Sequence, residues 1–138
     1  MVFSSDSDLL RFQPYVFEHG VVSFEEYHAR GVDDIVDELL ISWIPAQGTV
    51  DVDSFDVERL DALQWVMASV YRVLGWYVLP RLAASVGGQG LLTMMDHYRR
   101  EYGMEVQRVI RKGVRYDTGS GFERIELVSG SEQQRLRR

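Results

Sequence analysis

Lys112-Gly113-Val114-Arg115-Tyr116-Asp117-Thr118-Gly119-Ser120-Gly121-Phe122-Glu123-Arg124-Ile125-Glu126-Leu127 is the stretch where this chain changes its rhythm. Before it, apolar residues recur at helical spacing; within it they alternate on either side of a Gly-rich turn, which is the pattern of a hairpin. The fold expected is therefore mainly α: a bundle of three main helices and a short N-terminal helix, followed by a C-terminal β-hairpin or extended arm. A lone hairpin is marginal in water, and its unpaired edge groups suit pairing with another chain. No other segment looks like a strong sheet partner. Residues 1–113 thus read as a helical domain and 114–138 as a docking arm. Val114, Tyr116, Phe122, Ile125 and Leu127 supply the arm's apolar contacts. Arg135, Arg137 and Arg138 form either a solvated end or a segment for an acidic groove on a partner.

Upstream, Leu91, Met94, Met95, Tyr98, Tyr102, Val106, Val109 and Ile110 predict a third helix from Leu91 to Lys112, with Gly113 as its left-handed terminator. Arg108, Arg111 and Lys112 suit the negative pole of its dipole. A second helix is predicted from about Phe55 to Ala84, at 1.5 Å per residue roughly 45 Å long. That is long for this chain, so a bend is expected where Gly75 loosens the helix and Pro80 removes a donor. The first main helix starts at Ser23, where Ser23 and Glu26 fit a capping box and Val22 and Tyr27 a hydrophobic staple. It carries Val32, Ile35, Val36, Leu39, Leu40 and Trp43, contains the weak point Gly31, and ends at Pro45. Asp8 to Phe12 form one or two turns stopped by Pro14.

With 138 residues, 46% of them hydrophobic and 26% charged, the chain is expected to fold as a soluble domain that removes roughly two-thirds of its unfolded surface from water. The absence of cysteine excludes disulfides and Cys-ligated metal centres. The N-terminal residues do not suggest a secretory signal, and the most apolar stretch, residues 60–84, is interrupted by Asp61, Gln64, Arg72 and Arg81. A formal charge of −6 argues against general nucleic-acid binding, while it suits a surface past which DNA must slide.

Catalytic chemistry finds little support. His97 and Glu101 lie one helical turn apart and offer two metal ligands, too few for a site; His19 and His28 lie apart from them. Asp33, Asp34, Asp37 and Glu38 read as a solvated face, since no Glu-x-x-His motif accompanies them. Neither a nucleophile elbow nor a phosphate loop is present, and the Gly87-Gly88-Gln89-Gly90 run reads as a turn. A calcium loop starting at Asp117 needs a glutamate at position 128, which is Val128. The expectation is a protein that is no enzyme and uses no cofactor or metal. Trp65, Tyr71, Trp76 and Tyr77 are expected to serve core or subunit packing rather than base stacking.

Taken in order, Asp8-Leu9-Leu10, Pro14-x-Val16-Phe17, Ser23-Phe24, Trp43-Ile44-Pro45, the run from Ala68 to Pro80, Tyr98-Arg99-Arg100-Glu101-Tyr102 and Gly113-Val114-Arg115-Tyr116-Asp117 resemble the head-to-tail connector, or adaptor, proteins of tailed bacteriophages and gene-transfer particles. The resemblance spans residues 8 to 117 and rests on order and spacing. It implies a virion protein at the neck, a homo-oligomeric ring of typically twelve copies docked beneath the portal protein. In such a ring the helices surround the DNA exit channel, the C-terminal arm inserts into the portal, and loops face the next neck or tail component. DNA would pass without specific binding, and no membrane is involved. A cytoplasmic helical interaction module with a regulatory role is the alternative.

Overall fold

The computed structural model of the chain describes residues 1–18, 23–86 and 88–128. It is mainly helical with a C-terminal antiparallel hairpin. The order is α1 (Asp6–Phe12), α2 (Glu25–Ser42), α3 (Val66–Val73), α4 (Leu79–Val86), α5 (Gln89–Lys112), β1 (Val114–Asp117) and β2 (Phe122–Ile125), with short 3-10 turns in the connections. One hydrophobic core, built around Trp43, Trp65, Phe24, Ile35, Leu39 and Leu74, joins these elements.

The first main helix begins at Glu25, two residues beyond the expected start. Ser23 Oγ accepts the Glu25 amide at 3.2 Å, but the Phe24 amide is taken by Asp6, whose two carboxylate oxygens lie 3.2 and 3.3 Å away. A distant carboxylate thus sits at the positive end of α2, where the helix dipole favours it. Val22, the outer half of the expected staple, lies outside the described residues. Gly31 has a packing reason: a Cβ there would lie 3.4 Å from both Ser69 Oγ and Val73 Cγ2, so its absence brings α2 close to α3.

The predicted long second helix forms only from Val66 onward. Asp56 and Asp61 each accept an amide two residues on, from Glu58 at 3.0 Å and Leu63 at 3.2 Å, and each starts a fresh 3-10 turn. Such local caps compete with a continuous helix. Between the two turns Leu60 is extended and bridges to Tyr116 of β1.

The bend expected at Gly75 and Pro80 is a π-helical turn, Leu74–Val78, joining α3 to α4. The Leu79 amide bonds Leu74 O, five residues back, so Gly75 O has lost its usual donor. In the same register its new donor would be residue 80, a proline without an N–H. Arg99 fills the gap, with Nε donating to Gly75 O at 3.0 Å. A Cβ on Gly75 would lie 3.2 Å from Arg99 Cγ and 3.3 Å from Arg99 N, so the glycine also permits this approach of α5.

The α5 helix ends as expected. Gly113 has φ +103°, and its amide reaches Val109 O at 3.1 Å and Ile110 O at 3.2 Å. A Cβ would clash with Arg124 Cγ, a second reason for glycine there.

Candidate docking surface

β1 and β2 pair in the register Val114↔Ile125, Arg115↔Arg124, Tyr116↔Glu123 and Asp117↔Phe122. The turn closes on Asp117, whose carboxylate accepts the Gly119 amide at 2.9 Å and the Gly121 amide at 3.3 Å. Asp117 is therefore a turn-former.

The hairpin is not a free arm. Val114, Tyr116 and Ile125 are buried in the same core as the helices. Tyr116 stacks on Phe55 with centroids 6.0 Å apart, and its hydroxyl accepts the Asp56 amide at 3.0 Å. The far edge of β1 is also occupied. Asp61 N donates to Arg115 O at 3.2 Å, Gln64 Oε1 accepts the Arg115 amide at 2.8 Å, and Gln64 Nε2 donates to Gly113 O at 3.0 Å. An ion pair between Arg115 and Asp61 at 2.9 Å reinforces the join.

These contacts correct two expectations. Residues 113 and 114 separate secondary-structure elements but share one core, so the boundary placed there does not divide two independent hydrophobic units. Val114, Tyr116 and Ile125 cannot present their side chains to a partner while the hairpin is seated, because burying them here removes the same apolar surface from water. What remains outward is Phe122 at 48% exposure, half-buried Leu127, exposed Val128 and the outer edge of β2, which pairs with no segment among the described residues. Arg115 covers one face of Phe122, with its guanidinium carbon 5.6 Å from the ring centre. Arg135, Arg137 and Arg138 lie outside the described residues.

The four aromatic residues assigned to packing have partners inside the chain. Trp65 and Tyr71 are buried in the core, which removes them as subunit contacts. Tyr77 stacks on Tyr27 at 5.5 Å, with the rings 5° from parallel, and its hydroxyl donates to Asp34. Trp76, half-buried, is covered by Arg72 at 4.0 Å and Arg99 at 5.4 Å, and meets Tyr102 edge-on at 5.2 Å. Arg72 in turn pairs with Asp34 at 2.9 Å, so part of the acidic face of α2 is tied to α3. The Tyr102 hydroxyl is buried without a partner among the described residues, and that burial pushes its pKa well above the ordinary value.

A polar chain not foreseen from sequence runs beneath the N-terminus. Asp6 Oδ1 accepts from His28 Nε2 at 3.1 Å, His28 Nδ1 lies 2.6 Å from Ser4 Oγ, and Ser4 Oγ lies 2.6 Å from Ser69 Oγ. With the carboxylate accepting from Nε2–H, the Nδ1 of that tautomer accepts a hydrogen bond from the Ser4 hydroxyl. Ser4, His28 and Ser69 are all buried, so among the described residues the hydroxyl of this Ser-His-Asp order is covered. It satisfies buried groups and ties the N-terminal segment to α2 and α3. Glu25 joins Asp6 and His28 as a group able to surround a cation. However, both oxygens of Asp6 are engaged by Phe24 N–H, and the positive helix end opposes a cation. Residue spacing did not reveal this chain because its members come from three separate segments.

Compared with known proteins, the chain matches no family model, no curated protein and no solved structure.

Proposed function

We propose that the chain is a non-enzymatic connector subunit of a tailed-phage or gene-transfer particle, forming a ring of about twelve copies beneath the portal and coupling it to the next neck component. The ordered motifs from residue 8 to 117 support the reading, since they come in the sequence expected of such adaptors. The observation that carries it is the outer edge of β2, unpaired among the described residues and bordered by exposed Phe122. Strand addition needs that combination: backbone groups for affinity and an adjoining side chain for specificity. The seated hairpin changes how docking works. Its contact set is the β2 edge with Phe122, Leu127 and the chain beyond residue 128, including Arg135, Arg137 and Arg138, while Val114, Tyr116 and Ile125 anchor the platform. Virion placement follows from this role. No helix among the described residues is long and apolar enough to cross a membrane. The net charge of −6 suits a lumen through which DNA slides.

The test is binding of the full chain to the portal protein encoded in the same genome. Removing residues 129–138 and substituting Phe122→Asp should each weaken capture of the portal without loss of helicity. Undiminished capture by both variants rules out this docking surface.

A further inference from the structure

Where α5 runs into the hairpin, a cleft of about 340 Å³ is lined by Arg108, Lys112, Arg115 and Arg124, with Asp61 as its one acidic residue. Arg115 pairs with Asp61 and Arg108 with Glu105. Neither Lys112 nor Arg124 forms an ion pair with a carboxylate among the described residues, although Arg124 donates to Lys112 O at 3.3 Å. Leu63, 83% exposed, forms an apolar part of the wall. A cationic cleft with an apolar lip calls for an acidic segment that carries an apolar residue.

The chain displays such a segment on its own surface. Asp51, Asp53, Asp56 and Glu58 are all exposed, and Val52 among them is 60% exposed. We propose that the cleft of one copy receives the Asp51–Glu58 loop of a second copy, with Lys112 and Arg124 meeting its carboxylates and Leu63 meeting Val52. Because the two surfaces are different patches of one chain, the contact is heterologous and repeats from copy to copy, closing into a ring when the rotation permits. This inference rests on the ring reading above and names its subunit interface. The chain's charge favours a protein ligand over nucleic acid: only four of its fifteen lysines and arginines line the cleft, while the molecule as a whole carries −6.

Sedimentation velocity of the full chain tests it. Wild type should self-associate, at least tenfold more weakly at about 500 mM salt than at about 50 mM, as exposed ion pairs require. Lys112→Glu with Arg124→Glu should reduce self-association at least tenfold, and so should Asp51→Lys with Asp53→Lys. Mixing the two variants should restore association, because the reversed faces complement each other. Folding of both is checked by circular dichroism, and the mixture keeps the test valid if either is weakened. Variants that associate like wild type, a mixture as monomeric as its parts, or a wild type monomeric at about 1 mM would each overturn the interface. Portal capture that persists in those cases leaves the connector reading standing. A monomeric wild type whose cleft variant loses portal capture assigns the cleft to a portal segment instead.

Discussion

Gln64 clasps Arg115 across fifty-one positions of sequence: its Oε1 accepts the Arg115 amide at 2.8 Å, while its Nε2 donates to the carbonyl of nearby Gly113 at 3.0 Å. One carboxamide thereby replaces a neighbouring strand at the start of β1. Gln64→Ala leaves a backbone donor and a backbone acceptor without these partners, and the expected cost is about 1–3 kcal/mol. Urea denaturation measures that cost, and hydrogen exchange should show the Arg115 amide losing protection while amides in α3 keep theirs.

Arg99 and Pro80 should be energetically coupled through Gly75 O. Arg99→Met removes the donor that covers this carbonyl, costing about 1–2 kcal/mol. Pro80→Ala supplies a backbone N–H that can reach the same carbonyl, so the Arg99 substitution should cost less in that background. A double-mutant cycle read by denaturant unfolding gives the coupling; additive effects would mean that Arg99 matters for packing alone.

Tyr102 carries a buried hydroxyl with no partner among the described residues, so Tyr102→Phe should raise stability by about 1 kcal/mol. It should also change the alkaline limb. Burial raises the folded-state pKa of Tyr102 above its ordinary value of 10.0, and Tyr15, Tyr71 and Tyr77 are raised for the same leading reason. The folded chain then keeps protons that the unfolded chain releases, so this stability is complete below about pH 10 and is lost as pH rises toward the folded values. Thermal unfolding between about pH 9 and 11 should fall less steeply for Tyr102→Phe than for wild type.

Much of the fold can be read along the chain because its signals are local. The stripe of α5, the Gly113 stop, the Asp117 turn and the bend near Gly75 each depend on residues within a few positions of one another. The miss between Phe55 and Trp65 has the opposite cause. Apolar spacing there suits a helix, but Asp56 and Asp61 each restart a turn, and Leu60 finds Tyr116 far along the chain. The same limit hid the Ser4-His28-Asp6 chain and made the hairpin look unsupported. The partners of β1 are a bridge residue, Leu60, a backbone amide donor, Asp61 N–H, and a glutamine side chain, none of which has the alternation of a strand. The hairpin was legible in location, while the division between its buried and outward residues required the tertiary contacts.

That division makes a sharp contrast within one strand. Ile125 is buried and Phe122 is half exposed, three residues apart. An aspartate at 125 places a charge in the core and should destabilise the whole chain by about 3 kcal/mol or more, with loss of helical signal on mild heating. Deleting the hairpin should likewise destabilise the helices it helps to cover. Normal thermal stability in either variant would show that the hairpin stands apart from the core.

The most direct measurement is equilibrium capture of the purified full chain by portal rings from the same particle, comparing wild type with Phe122→Asp at matched helicity. A connector that docks through the β2 edge should bind the portal as wild type and lose at least tenfold in affinity as the variant. Wild-type chain that leaves the portal untouched, with partner and chain both folded, would contradict the proposed function itself.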